Sequence, residues 1–336
     1  MNAPAVMAAD VGGTHARVQL AEIADGIPQT VHERHYRSAA HADLASILQD
    51  FLESTGARPR HACIAVAGPV SRAADGQRAR VTNLPWTLDS RALAAQLGID
   101  TLQIINDFEA VGYGIAALRP ADLVTLQAGE PQAGAPRAAL GAGTGLGQAL
   151  LMPCAGRYDV IATEGGHADF APQTDLQMAL LRHLTAHHGH VSYERLLSGA
   201  GLVHLYEFLH HERTGTAAPA PAGDPAAAVS QAALAGTDPI AVEALQEFVR
   251  IYGAQAGNLA LACLPFGGLF IAGGIAPKIL PLLQDGGFVQ AFNAKGRMEP
   301  LLQRIPVHIV AHAAPGLLGA ALCAARPIAD EIARGH

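Results

Sequence analysis

The chain has 336 residues, half of them hydrophobic and 15% charged, with a formal net charge of −7. That length exceeds one ordinary core, so two domains are expected, and the apolar fraction fills them easily. There is no basic stripe for nucleic acid and no run of about 18 residues free of Gly, Pro and charge to span a membrane. There is also no basic-then-apolar leader, so the reading is a cytoplasmic protein with neither nucleic-acid nor membrane partners.

In chain order, Val6-Met7-Ala8-Ala9 leads into Asp10, Gly12, Gly13 and Thr14, and residues 16–23 then alternate apolar with polar. This spells strand, glycine turn, strand. Glycines let a backbone approach a ligand with its N–H groups aimed at it, and an acid at the lip can hold a metal. An ordinary tight hairpin turn is the competing reading. Residues 31–37 predict a third strand, 43–54 a helix, 61–67 a buried strand stopped by Gly68-Pro69, and 80–86 a strand leading into a loop. Asp89 or Ser90 can cap a helix running to Leu97. Residues 101–105 then form a strand that delivers Asn106-Asp107-Phe108, followed by a helix over 109–118. Only nine residues precede Asp10, so no N-terminal DNA-binding domain is expected.

A second unit repeats the opening design. Residues 137–140 lead to the glycine turn 141–147, which contains Thr144, and a strand follows over 148–152. Helices are predicted over 175–187, 192–197 and 201–211, and residues 214–228 read as a surface loop. The long helical pattern 238–264 carries Gly253 and Gly257, which predicts close packing against a neighbour. Residues 268–275 read as a buried strand ending in a glycine turn, Pro277 sits at a helix start, 306–311 is a strand, and 315–325 a closing helix lightened by Gly316 and Gly319. The four cysteines, Cys63, Cys154, Cys263 and Cys323, lack Cys-x-x-Cys spacing and sit in apolar settings, which predicts buried free thiols in a reducing compartment. Lysine occurs only at Lys278 and Lys295.

Two phosphate-binding designs are excluded. No Gly-Lys pair exists for a P-loop, and with the first glycine counted as position one the sixth position is Leu146 from Gly141 and Gln148 from Gly143, so the dinucleotide fingerprint fails. What remains is a pair of β-hairpin phosphate loops. Asp107, at a strand end and before a helix, suits a general base for phosphoryl transfer to an alcohol, since that reaction needs a carboxylate within reach of the attacking hydroxyl. A helix cap is the alternative from position alone. Glu164-Gly165-Gly166-His167 invites a metal reading, but its central glycines oppose the helix such sites use. A polar sugar fits the pair better. His183, His187, His188, His190, His204, His210 and His211 fall on polar faces or loops and read as surface.

The chain resembles the sugar kinase, hexokinase and actin-like ATPase superfamily, and within it the bacterial glucokinase family of proteobacterial type. The resemblance is carried by residues 10–14, 104–108, 141–147, 164–170, 194–199, 270–275 and 315–319, in this order over nearly the whole chain. His15 departs from the Asn more common there. The related repressor-and-kinase family carries a cysteine-dense zinc motif that this chain lacks, so no zinc is expected.

The resemblance implies an α/β fold of two ribonuclease-H-like domains flanking a deep cleft. Residues 1–117 with 307–336 would form the small domain and 118–306 the large one. It implies ATP-dependent phosphorylation of D-glucose at the 6-hydroxyl, feeding glycolysis, with Asp107 as base. By the same resemblance Asn106, Asp107, Glu164, His167 and Glu194 hold the sugar, and Asp10 orients hydrated Mg²⁺. Gly12, Gly13 and Thr14 then meet the terminal phosphates, Gly143, Thr144 and Gly145 grip them from the other domain, and Gly273 and Gly274 let adenosine lie flat. Sugar binding would close the domains, and a homodimer is expected. A kinase for another hexose, and a sugar- and ATP-binding regulator with little catalysis, are the rival readings.

Overall fold

The computed structural model describes residues 4–24, 26–220 and 223–333. The chain divides into two compact units, one of residues 1–120, 158–162 and 312–336 and the other of 121–157 and 163–311. The boundary near the C-terminus thus falls at 311/312.

The first unit opens with β1 (Ala5–Val11), β2 (His15–Ala24) and β3 (Ile27–Arg37), followed by α1 (Leu44–Thr55) and β4 (His61–Val66). A small antiparallel sheet of β5 (Val70–Ala73), β6 (Gly76–Arg80) and β7 (Thr87–Asp89) comes next. Then follow α2 (Ser90–Leu97), β8 (Thr101–Asn106) and α3 (Asp107–Ile115). The main sheet has the order β3-β2-β1-β4-β8. Its first three strands are antiparallel, and β1, β4 and β8 run parallel. The strand expected to lead into a loop over 80–86 ends at once: β6 stops at Arg80, and 81–86 is all loop, with Val81 and Trp86 buried. Burial without alternation explains the misreading.

Period-two alternation gives the main sheet two cores. Met7, Ala9 and Val11 point into one with Leu48, Phe51 and Ile104, while Val6 and Ala8 point into the other with Cys63, Ile105 and Leu317. Asp43 caps α1 by accepting from Ser46 N at 2.8 Å, and Asp89 caps α2, as expected for that position; such caps contribute ~1 kcal/mol each. The closing helix is longer than its periodic pattern suggested. It continues past Pro327, whose ring it accommodates, to Ala333.

The second unit contains β9 (Leu123–Gln127), β10 (Arg137–Ala142) and β11 (Leu146–Cys154); the next strand, β12 (Arg157–Thr163), has its residues 158–162 in the first unit. The helices α4 (Asp175–His188), α5 (Gly199–Thr214), α6 (Pro225–Ala235) and α7 (Pro239–Cys263) follow. After β13 (Leu269–Ala272) come short α8 (Leu280–Leu283), α9 (Gly287–Asn293) and α10 (Glu299–Leu302), then β14 (Val307–Val310); α11 (Pro315–Ala333) belongs to the first unit. The six-stranded sheet has the order β12-β11-β10-β13-β14-β9. The glycine hairpin β10–β11 is antiparallel and β10 is parallel to β13, which matches β2–β1–β4 in the first unit. The internal repeat read from the sequence is therefore a repeat of topology.

The loop expected over 214–228 ends early, because Asp224 caps α6 and Pro225 takes its first position; residues 221–222 lie outside the described residues. Gly253 and Gly257 pack as expected: a Cβ would meet Phe288 O at 2.2 Å and Phe292 O at 2.4 Å, so α9 lies directly on α7. The cysteines correct the sequence reading. Cys63 and Cys323 are buried, but Cys263 is half-buried and Cys154, at the frayed end of β11, is exposed. Among the described residues no helix is long and apolar enough to cross a membrane.

Candidate active site

In the first unit, the parallel strands bring two acids to the same sheet edge. Val11, Val66 and Asn106 form one row across β1, β4 and β8, so Asp10 and Asp107 emerge at the carboxyl ends of strands separated by one neighbour. This is where open α/β sheets place ligands. Asn106, not Asp107, is the helix cap: its Oδ1 accepts from Phe108 N at 2.8 Å and Glu109 N at 3.2 Å, while its Nδ2 donates to Gly68 O at 3.2 Å. Asp107 occupies the first helical position, and its Oδ1 shares the Phe108 N–H at 2.8 Å.

Burial pushes the Asp107 carboxyl up to about 6. The Phe108 N–H opposes this, and the charge of Asp10 adds to the rise. Burial also raises Asp10, against the pull of Arg17. Arg17 itself is held on the strand surface by Glu33 at 2.7 Å. The start of α11 backs both acids. A Cβ on Gly316 would lie 3.7 Å from Asp10 Oδ2 and 3.8 Å from Asp107 O, so an alanine there would make ordinary van der Waals contact with both acids.

The first glycine turn is pinned from behind by a residue sequence reasoning missed. Ser38 Oγ donates to Gly12 O at 3.0 Å, and Ser38 N donates to Thr14 O at 2.9 Å. Gly13 is wedged against Thr82 O, 2.9 Å from where its Cβ would be, and Thr14 and His15 are exposed at the tip. Asp10 fits a hard cation. It is a largely desolvated carboxylate that, among the described residues, accepts no hydrogen bond from protein, and Mg²⁺ takes one or two such carboxylates and keeps its waters.

In the second unit, Gly143 N donates to Gly145 O at 2.8 Å, and Gly199 N, at the start of α5, donates to Gly143 O at 3.0 Å. The end of β10 is anchored by the buried Tyr252 of α7, whose hydroxyl accepts from Ala142 N at 3.0 Å. Gly273 has φ +83°, and a Cβ would sit 2.4 Å from Ala142 O. Only glycine fits there, so β13 turns beside the hairpin and leaves Gly274 exposed. Thr144 is exposed on the hairpin itself.

The hairpin also touches the acids expected to hold sugar. Glu194 Oε2 accepts from Leu146 N at 2.9 Å. A Cβ on Gly145 would come 2.5 Å from that oxygen. His167 lies between two carboxylates, Nε2 3.9 Å from Glu164 and Nδ1 3.9 Å from Glu194. Residues 165–167 form a single 3-10 turn, tight because a Cβ on Gly166 would meet Leu146 O at 2.0 Å. Thus Gly143, Thr144, Gly145, Glu164, His167 and Glu194 form one cluster, and Asp10, Gly12, Gly13, Thr14, Asn106 and Asp107 form another. Beneath Gly165 lies Gln148, whose Nε2 is buried without a partner. Among the described residues no group of three or more His, Cys, Asp or Glu is arranged to hold a metal; instead His183 stacks on His187 and Phe208, and His188 on His204.

The glucokinase family model matches residues 7–327. The glucokinase of Nostoc sp. is 46% identical, with 96% of this chain and 99% of the relative covered. The crystal structure of a glucokinase from an Antarctic psychrotroph superposes with a TM-score of 0.86 at 33% identity, covering 96% of this chain and 99% of that one. A glucokinase of the ROK family from Streptomyces griseus, solved with glucose and AMPPNP, shares the fold at a TM-score of 0.65 and 20% identity, covering 96% of this chain and 99% of that one. The Asp-acid edge, the paired glycine hairpins and these matches over almost the entire length agree: the chain belongs to the glucokinase family.

Proposed function

We propose that the protein transfers the γ-phosphoryl group of ATP to the 6-hydroxyl of D-glucose, with Asp107 as general base. The observation that carries the assignment of the base is the place of the Asp107 carboxyl: at the carboxyl end of β8, across one strand from Asp10, with one oxygen tied to a backbone N–H and burial pushing it up to about 6. A base with that pKa is ionised at neutral pH yet retains affinity for a proton, as such catalysis requires. Asp107 accepts the 6-hydroxyl proton as that oxygen attacks phosphorus in line and ADP leaves. Asn106, Glu164, His167 and Glu194 hold the remaining hydroxyls.

Gly13, Thr14, Thr144 and Gly145 would offer N–H and hydroxyl donors to the phosphates, Gly12 and Gly143, whose N–H groups close their own turns onto His15 O and Gly145 O, would let the backbone come close, and Gly273 and Gly274 leave room for adenosine. Asp10 is the residue that would hold Mg²⁺, directly or through water. When bound, that ion neutralises developing phosphate charge. We place the reaction at the head of glucose breakdown in the cytoplasm and the working assembly as a homodimer, which light scattering would check.

A coupled assay that follows ADP release over a hexose panel tests the function. Glucose is expected to give the highest kcat/KM. A higher value for mannose, fructose or an amino sugar would reassign the substrate, and sugar binding without ADP release would make the protein a regulator.

A further inference from the structure

Glu194 rides on one 3-10 turn, Tyr193–Arg195, and what holds that turn still is not obvious from the sugar site. On its front side the turn is laced to the segment after His167. Asp169 and Ser192 form an antiparallel bridge, Tyr193 N donates to Ala168 O at 3.0 Å, and Phe170 N donates to Val191 O at 3.0 Å. On its rear side Tyr193 is 3% exposed, with its ring edge-on to Phe170 at 5.7 Å between centroids. Its phenol oxygen accepts from Asn258 Nδ2 at 2.9 Å. Asn258 Oδ1 in turn accepts from Lys295 Nζ at 2.6 Å, and Nζ also donates to Ala254 O at 2.9 Å.

This chain of bonds has only one possible direction. An ammonium is a donor and nothing else, so the Asn258 oxygen must face Lys295 and its NH₂ must face Tyr193. The phenol therefore accepts from the amide, and the charge at Lys295 polarises both links. Room for the lysine stem comes from Gly257, where a Cβ would lie 2.7 Å from Lys295 Cε. One of the chain's two lysines is thus half-buried and spent on backbone and amide oxygens.

We infer that Lys295, Asn258 and Tyr193 are positioning residues for Glu194: a line of two bonds, from Lys295 just beyond α9 through Asn258 of α7 to the turn that sets the carboxylate against Leu146 N and His167, and hence sets glucose affinity. The inference rests on Glu194 holding the sugar, as proposed above. None of the three residues touches substrate in this reading. Their effect is confined to the turn, so it falls on glucose and not on nucleotide.

Steady-state kinetics of the wild type, Tyr193→Phe, Lys295→Met and the double variant test this, with thermal melting alongside. Tyr193→Phe keeps the ring packing and removes only the oxygen, so it remains informative even if Lys295→Met fails to fold. Each single variant is expected to raise KM for glucose about tenfold, the cost of a lost charge-assisted link, with KM for ATP and kcat within about twofold. The double variant is expected to be no worse than the weaker single, because one line has been cut twice. Unchanged KM for glucose in Tyr193→Phe overturns the inference, as does a parallel loss in all three constants that follows the melting temperature. Wild-type protein that does not turn over glucose removes the functional reading first, and this inference with it.

Discussion

The two acid-bearing regions differ in how they treat charge. In the first unit the carboxylates are desolvated, and the charge of Asp10 adds to the rise of Asp107, so Asp107 is pushed up to about 6 while burial raises Asp10 too. In the second, Glu164 is 79% exposed, His167 59% and Glu194 33%. A group that must take a proton profits from losing its water, because its basicity rises. A group that only accepts hydrogen bonds from hydroxyls profits from staying ionised and hydrated until the ligand arrives. On the proposed roles, the difference separates chemistry from recognition among these acids.

Substitutions should break that contrast in a fixed order. Asp107→Asn removes the base and keeps the shape. kcat is expected to fall about 10²–10⁴-fold, while glucose affinity measured by calorimetry without ATP stays within about threefold. A kcat near wild type would move the base elsewhere. Asp10→Asn comes next, with kcat down about 10²-fold and half-saturation by Mg²⁺ displaced to higher concentration, since a preorganised charge beside the transferring group is lost. If Asp10→Asn changed glucose KM alone, Asp10 would belong with the sugar ligands.

In the second unit the two glutamates are expected to separate. Glu194→Ala leaves Leu146 N–H without its acceptor as well as removing a sugar ligand, so glucose KM should rise about 10–100-fold. Glu164 makes no such internal bond among the described residues and is mostly in water, so Glu164→Ala should raise KM about three- to tenfold. Equal effects would mean that the Leu146 link carries nothing. Gly145→Ala should reproduce part of the Glu194 defect, because its Cβ would land 2.5 Å from the carboxylate oxygen.

Much of this site was legible because its parts are local. Asp10 with Gly12–Gly13, Asn106-Asp107 at a strand end and Glu164 with His167 are each contiguous, and strand period and turn chemistry expose them. Positions that depend on distant partners were not legible. Ser38 pins Gly12 from 26 residues away, Tyr252 reaches Ala142 across 110, and Asn258 reaches Tyr193 across 65. Each looks like ordinary core or turn until the chain has folded. The fold shows the same divide: β10–β11 was readable from its hairpin, whereas β5 and β6, mostly exposed and without alternation, and the exposed Cys154 were not.

The pH profile offers the finest test of the contrast, and its sign follows from the raised carboxyl. Asp107 acts as a base only when ionised, so kcat/KM should fall as pH drops through about 6 and stand near a tenth of its plateau at pH 5. The charge of Asp10 contributes to that rise, so in Asp10→Asn the acid limb, at whatever reduced plateau, should move to lower pH. Stability runs the other way. A carboxyl raised from 3.8 to about 6 binds more protons folded than unfolded across that window, so stability falls as pH rises through it, by roughly 3 kcal/mol in full above pH 6. Asp107→Asn has no such penalty. It should therefore melt above wild type at pH 7.5, and the gap should narrow toward zero as pH approaches 4. A gap that did not change with pH would place the cost of Asp107 in packing and not in its charge.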